Sequence, residues 1–121
     1  MSDSIYSPLV AEWQLVLHPD CERELLELKA TNDDLLTKVI HDLRLLREFG
    51  LELLTEGRVK KLTDEVFELR TRRGSDINRV LFAVREGRLC LLAVSFVKKT
   101  QRTPRTFIEL AQGRLADRRD E

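Results

Sequence analysis

The hydrophobic positions of the chain change period along its length, and the clearest helical pattern covers residues 33–49. One helix face is marked there by apolar residues at the i, i+3, i+4, i+7 spacing, namely Leu36, Val39, Ile40 and Leu43. Asn32 or Asp33 can cap the start of this helix, and Gly50 follows its end. The pattern therefore predicts an amphipathic helix with defined ends.

The residues before this helix predict a strand and a second helix. Residues 13–17 read WQLVL, an apolar and partly β-branched run that Pro19 soon follows, as is typical of a short strand. Residues 20–30 have helix-forming composition, with Asp20 as the predicted N-cap. The two helices together predict a helical hairpin whose apolar stripe faces a sheet. Residues 1–10 are expected to be flexible.

After the second helix the hydrophobic period changes from 3.6 to 2, which predicts strands. Residues 66–71 alternate between apolar and polar side chains. Residues 77–85 and 89–97 are more continuously apolar, as expected of central strands covered on both faces. A Gly-containing turn at residues 85–88 joins them. The three segments predict an antiparallel meander, preceded by a connector over residues 51–64.

The last predicted element is a helix that begins at Thr103–Pro104, with a capping hydroxyl and then a proline in the first turn. Residues 117–121 are charged and are expected to be flexible. The order β-α-α-β-β-β-α predicts an α+β fold. It comprises a small antiparallel sheet, made of the N-terminal strand and the three-stranded meander, with two N-terminal helices and one C-terminal helix. The 121 residues predict a single domain.

Composition narrows the class of protein. The hydrophobic share is 42% and the charged share 35%, which predicts a folded domain rather than a disordered chain. No apolar run reaches the ~18 residues of a membrane helix, and the start lacks the pattern of a signal peptide. Cys21 and Cys90 form neither a disulfide framework nor a zinc motif. We therefore expect a cytoplasmic protein without a membrane partner.

The formal net charge is zero, yet the charges are unevenly distributed. Residues 1–56 carry 5 Lys and Arg against 12 Asp and Glu, whereas residues 57–121 carry 16 against 9. This asymmetry favours a polyanionic partner for the second half. The alternative is that the two halves neutralise each other across the fold.

Familiar catalytic motifs are missing from the sequence. It contains no Gly-rich phosphate loop, no HExxH motif, no nucleophile elbow and no paired CxxC. His18 and His41 both lie in the acidic half and far apart in sequence, so each is interpreted as structural or solvent-exposed. We therefore expect neither a metal nor another cofactor.

Cations cluster on the predicted strands of the basic half. Arg70 and Arg79 lie inside otherwise apolar strands, where a charge must be paired or must line a functional concavity. For Arg70 the structural alternative is an ion pair with Glu68 on the same strand face. Further cations flank the strands: Lys60, Lys61, Arg72, Arg73, Lys98, Lys99 and Arg102.

Residues 58–114 carry a more specific pattern. It runs Glu68-Leu69-Arg70, Arg79-Val80-Leu81-Phe82, Phe96 with Lys98-Lys99-Thr100, Thr103-Pro104, and Glu109 with Ala111. This pattern resembles the RelE/ParE superfamily of toxins from bacterial type II toxin–antitoxin systems, and within it the phage-derived, HigB-like branch. The resemblance implies a RelE-like α+β fold.

The resemblance also implies an activity, that of a ribosome-dependent mRNA endonuclease that needs no metal and inhibits translation. In this reaction a ribose 2′-hydroxyl attacks the adjacent phosphate, and preorganised cations stabilise the charge that develops. Arg70 is the first candidate for that role and Arg79 the second, with Lys60 or Lys61 as a candidate base. The RNA- and ribosome-binding candidates are Lys98, Lys99, Arg72, Arg73, Arg102 and Phe96.

One departure from the superfamily concerns proton transfer. Several members place a tyrosine or histidine late in the sheet, where this chain has Ser95-Phe96-Val97. The acid and base therefore stay unassigned, with Glu68 and Glu109 as the remaining titratable candidates near the cations.

The implied partners are a cognate antitoxin with a helix-turn-helix domain, the ribosome and mRNA. Operator DNA is expected only through the antitoxin. Two alternatives stay open. One is a ParE-like toxin that poisons gyrase without ribonuclease activity. The other is a phage-derived remnant that binds only an antitoxin or nucleic acid.

Overall fold

The fold was analysed in a computed structural model, which describes residues 12–117. Its elements are β1 (Gln14–Leu17), α1 (Pro19–Thr31), α2 (Asp33–Phe49), a 3-10 helix (Gly50–Leu54), β2 (Val59–Lys61), β3 (Phe67–Arg73), β4 (Asp76–Arg85), β5 (Leu89–Lys98) and α3 (Arg105–Asp117). The predicted α+β class is confirmed. Of the ranges expected to be flexible, residues 1–10 and 118–121 lie outside the described residues, whereas Asp117 is the last residue of α3.

The five strands form one sheet in the order β1-β5-β4-β3-β2. The long strands β4 and β5 lie at its centre and are buried along most of their length, as their continuous apolar sequence predicts. β1 runs parallel to β5, whereas the sequence interpretation gave an antiparallel sheet. No hairpin joins the two strands, and the chain returns through two helices and three strands, so hairpin geometry does not set their relative direction.

β2 was not predicted and lies within the expected connector. Its three residues are too few for a period-2 pattern, and Val59 alone is apolar and buried. Val59 lies opposite Leu69 of β3, and Lys60 lies opposite Glu68. This short edge strand therefore brings two exposed lysines beside β3.

The sheet separates two hydrophobic cores. One core lies against α1 and α2 and includes Leu35, Val39, Leu46, Leu69, Val80, Phe82 and Leu92. The other lies against α3 and includes Leu81, Ala83, Ala93, Phe96, Ala111 and Leu115. The helices therefore cover both faces of the central strands, with the helical hairpin of α1 and α2 on one face and α3 on the other.

Two helix starts differ from their predictions. α1 is capped by His18 and not by Asp20, because the Nδ1 atom of His18 accepts a hydrogen bond of 3.0 Å from the Asp20 N–H. Asn32 caps α2 as expected, accepting from the Leu35 N–H at 3.1 Å. The Thr103 hydroxyl does not cap α3, which begins at Arg105; it donates instead to the Glu68 carboxylate.

Cys21 and Cys90 are fully buried in the core beneath the helical hairpin. Burial raises the pKa of each thiol to about 12, so both are neutral at physiological pH. Both therefore pack as small hydrophobic residues. Within residues 12–117, no helix combines the length and the apolar content that crossing a membrane requires.

Candidate functional site

The candidate site is built around a buried carboxylate, Glu68, whose side chain is fully shielded from solvent. Arg70 donates from Nε to one carboxylate oxygen, and the Thr103 hydroxyl donates to the other. The Nε atom of Arg79 lies 3.6 Å from the oxygen that Thr103 binds. We call these four residues the Glu68 cluster. The ion pair between Arg70 and Glu68 is the one that the sequence offered as a structural alternative.

Strand register explains why these charges meet. Alternation along β3 places Glu68 and Arg70 on one face of the sheet, the face that α3 covers. Arg70 lies directly opposite Arg79 of β4, and like charges in that position repel. The carboxylate of Glu68 compensates both guanidinium groups, so the three charges depend on one another.

The same arginines hold the segment 99–104, which we call the site loop. Arg70 donates from Nη2 to the Gln101 carbonyl oxygen at 2.7 Å, and Arg79 donates to the Thr100 carbonyl. Thr103 adds the bond to Glu68 from the loop side. The Glu68 cluster therefore ties the loop, with its cations, to the centre of the sheet.

Arg70 and Arg79 differ in their access to solvent. The side chain of Arg79 is fully buried, and burial lowers the pKa of its guanidinium group while Glu68 opposes that change. The side chain of Arg70 remains 22% exposed. In this arrangement the guanidinium group of Arg70 is accessible to a phosphate group from solution. The guanidinium group of Arg79 is not accessible, and its charged neighbour is Glu68.

The exposed part of Arg70 opens into a depression of about 300 Å³. It is lined by Lys60, Lys61, Leu62, Arg70, Arg102, Thr103 and Ile108, and we call it the basic cleft. Three of the four predicted catalytic residues, Lys60, Lys61 and Arg70, therefore line one cleft together with Arg102. The fourth, Arg79, is buried and does not line it. A neighbouring depression shares Arg102 and Thr103 and adds Arg105, which extends the cationic surface toward α3.

Apart from Arg102, the predicted RNA-binding residues are not among those that line the basic cleft. Lys98 and Lys99 are exposed at the end of β5, and the Lys98 ammonium lies 5.7 Å from the centre of the Phe107 ring. Arg73 is exposed and pairs with Asp34 at 3.0 Å. Arg72 is exposed further along β3 and does not line the basic cleft.

Phe96 differs from its predicted role as a stacking platform for bases. It is buried, and its ring stacks on Phe107 with 3.8 Å between ring centres and 6° between planes. Aromatic packing between β5 and α3 therefore occupies this side chain, and its ring is not accessible for stacking on a base.

A second and larger depression, of about 860 Å³, lies between α2 and β3, and we call it the helix-side cleft. Its charged and titratable lining residues are Lys38, His41, Asp42, Glu56, Arg58, Arg70 and Arg72. Sequence analysis missed it because its residues come from α2, the connector and β3. Among residues 12–117, no three His, Cys, Asp or Glu side chains are grouped as metal ligands.

Comparison with known proteins identifies one family for most of the chain. The family model of the phage-derived protein Gp49-like (DUF891) matches residues 26–116, a range that contains the Glu68 cluster and both clefts. No curated protein matches the chain. Because the family model covers most of the chain, the protein belongs to the Gp49-like family of phage-derived proteins, a family of RelE-like, toxin-like proteins.

Proposed function

We infer that this protein is the toxin of a type II toxin–antitoxin system, of the HigB-like branch, and that it cleaves mRNA on the ribosome. The observation that carries this proposal is the partly exposed Arg70 in the basic cleft, held by a buried carboxylate and surrounded by Lys60, Lys61 and Arg102. Cytoplasmic location and inhibition by a cognate antitoxin are parts of the same proposal.

The reaction is attack of a ribose 2′-oxygen on the neighbouring phosphorus atom. The bond from phosphorus to the 5′-oxygen breaks, leaving a 2′,3′-cyclic phosphate and a free 5′-hydroxyl. Negative charge grows on the phosphate oxygens in the transition state, and preorganised donors stabilise it. Arg70 suits this role because its planar guanidinium group can contact two oxygens at once.

The remaining cations have supporting roles. Lys60 or Lys61 is the candidate base, and the other lysine holds the RNA backbone near Arg70 together with Arg102. Arg79 is a positioning residue, since it is buried and acts on Arg70 through Glu68. Lys98 and Lys99 lie at the end of β5 and contact RNA or ribosomal RNA. Such contacts are electrostatic and independent of sequence, so the ribosome selects and positions the message.

The experiment compares Arg70→Gln with the wild-type protein by primer extension on a translated reporter mRNA in cells. We expect cuts inside the reading frame for the wild type, and their loss both in the variant and when the start codon is removed. Arg23→Gln is the matched control, because Arg23 is an exposed arginine of α1, remote in sequence from the site. That control is expected to cut like the wild type.

The other outcomes separate the alternatives. Intact message with arrested growth supports a gyrase-poisoning toxin, and intact message with normal growth supports a remnant that only binds. Rapid cleavage of free transcripts by the purified protein would overturn the ribosome dependence. Undiminished cutting by Arg70→Gln would remove Arg70 from the active site.

A further inference from the structure

A depression of about 590 Å³ adjoins the basic cleft, and the roles proposed above leave it unused. We call it the α3-side depression. It is lined by residues of the site loop and of the first turn of α3, namely Thr100, Arg102, Thr103, Pro104, Arg105 and Ile108. Its lining therefore combines two arginines with two apolar side chains, the groups that a nucleotide requires for its phosphate and its base.

Direct contacts join this depression to Arg70. The guanidinium group of Arg70 donates to the Gln101 carbonyl at 2.7 Å, between two residues that line the depression. The Thr103 hydroxyl donates to the Glu68 carboxylate, which also accepts from Arg70. Both depressions lie beside α3, and both are lined by Ile108. An RNA strand with one phosphate at Arg70 can therefore place a neighbouring nucleotide in the α3-side depression.

The two arginines of this depression are accessible to phosphate. Arg102 is exposed, and within residues 12–117 its side chain forms no ion pair. Arg105 is also exposed and pairs with Glu109 one turn later on α3, at 3.3 Å. A pair between two exposed side chains is weak and is screened by salt, so it leaves Arg105 free to bind another anion.

The apolar residues of the depression are Pro104 and Ile108. Both are half-buried, and Ile108 packs against the core beneath α3, so its position is fixed. The two hydroxyl groups nearby are engaged, because Thr100 donates to the Arg102 carbonyl at 3.1 Å and Thr103 donates to Glu68. Neither hydroxyl has a proton left for a base edge, so a base is held here through its face.

We propose that the α3-side depression is a nucleotide subsite, in which a base packs on Pro104 and Ile108 while Arg102 and Arg105 bind the adjoining backbone phosphates. This inference rests on the proposed function, which supplies RNA as the ligand. Ile108 is a positioning residue in this arrangement, since it fixes the nucleotide next to the scissile phosphate. The subsite orients RNA without selecting its sequence, because contacts with the face of a base do not distinguish one base from another.

The test is an NMR titration of the wild-type protein with a 2′-O-methyl RNA trinucleotide, whose blocked 2′-oxygens prevent cleavage. Nuclear Overhauser effects are expected between base protons and the methyl groups of Ile108. None is expected at Leu110, an exposed residue of α3 that lines neither depression. Trinucleotides of adenosine, cytidine or uridine are expected to bind within about 3-fold of one another, since each base has a face to pack.

A pair of double variants tests the arginines at equal net charge. Arg102→Gln with Arg105→Gln is expected to weaken binding about 10-fold at low salt. The control, Arg23→Gln with Lys29→Gln, removes two exposed cations of α1 and is expected to bind like the wild type.

The outcomes separate this inference from the proposed function. Absence of binding, binding without contacts at Ile108, or equal affinities of the two double variants would overturn the subsite; if the wild type still cuts mRNA in cells, the proposed function stands. Contacts at Ile108 from a protein that leaves the message intact would support the nucleotide subsite and overturn the cleavage.

Discussion

At the scale of single residues, Glu68 determines how the site is held together. It is a carboxylate without solvent contact, and it compensates two arginines that the strand register places opposite each other. Such a group contributes little net stability compared with an apolar core, yet it is costly to remove alone, because the charges left behind are buried and uncompensated. Glu68 therefore acts on the site mainly by fixing the positions of Arg70, Arg79 and Thr103 relative to one another.

Glu68→Gln is expected to lower the free energy of unfolding by about 3 kcal/mol, because Arg79 then lies buried without a counter-charge. Urea-induced unfolding at neutral pH measures this loss. Glu65→Gln is the control, since Glu65 is about half exposed and pairs with Arg85 at the surface. An equal loss in the two variants would show that Glu68 does not compensate the arginines.

The two buried thiols predict a loss of stability at alkaline pH. The folded-state pKa of each is raised to about 12, above the ordinary value near 9, so the folded chain keeps protons that the unfolded chain releases between those values. Stability therefore falls as the pH rises through this range, by about 1.4 kcal/mol for each thiol at pH 10.

Unfolding in urea at pH 7.5 and pH 10 tests this thiol effect. A double variant, Cys21→Ala with Cys90→Ala, is expected to lose about 3 kcal/mol less than the wild type between the two pH values. The same alkaline loss in both proteins would assign it to other groups.

At the scale of elements, the junction between α2 and the sheet depends on Gly50. Its φ of 57° lies in the left-handed region, and a Cβ atom at this position would clash with the indole ring of Trp13. The backbone N–H of Trp13 donates a hydrogen bond of 2.8 Å to the backbone carbonyl of Arg47. This bond joins the end of α2 to the residue that precedes β1. A residue without a side chain therefore allows helix and strand to approach closely.

Gly50→Ala is expected to cost about 3 kcal/mol, because the left-handed backbone and the clash with Trp13 both oppose it. Gly57→Ala is a matched control, since its φ of 79° is also positive but no atom lies within 4 Å of the added Cβ. It is expected to cost about 1 kcal/mol. Equal losses in urea unfolding would mean that contact with Trp13 is unimportant.

The elements differ in how far the sequence could predict them. α2 and the strands β4 and β5 have long periodic or continuous apolar patterns, and these were predicted close to their observed bounds. β2 is too short to show a period, and the pairing of Thr103 with Glu68 depends on a contact across 35 residues. The helix-side cleft was missed for the same reason, because its lining residues come from α2, the connector and β3 and are brought together only by the tertiary fold.

At the scale of the whole molecule, the zero net charge hides a division into two regions. The acidic residues are concentrated in the N-terminal half, which contains the helical hairpin, whereas Lys60, Lys61, Arg70 and Arg102 meet in the basic cleft. A polyanion responds to the local field and not to the total charge. Binding to RNA is therefore expected to depend on where a charge is removed.

Two triple variants test this dependence at equal net charge. One replaces Lys60, Lys61 and Arg102 with Gln, and the control replaces Arg23, Lys29 and Arg47 of the helical hairpin with Gln. Fluorescence anisotropy with a single-stranded RNA at several salt concentrations measures the dependence of log K on log salt. The slope is expected to fall by about 2 in the first variant and to stay unchanged in the control. Identical slopes would show that the basic cleft is not the RNA contact.

The parallel pairing of β1 with β5 has a consequence for the order of events during synthesis. Gln14 pairs with Leu89, and Glu24 of α1 accepts a hydrogen bond from Arg114 of α3, so these contacts form only after β5 and α3 have been translated. At roughly 5–20 residues per second, the N-terminal helices exist for several seconds before β5 is made. The site loop and α3 follow later still. A nascent chain without these segments therefore lacks a complete basic cleft, and the proposed activity arises only after the site loop and α3 have been translated.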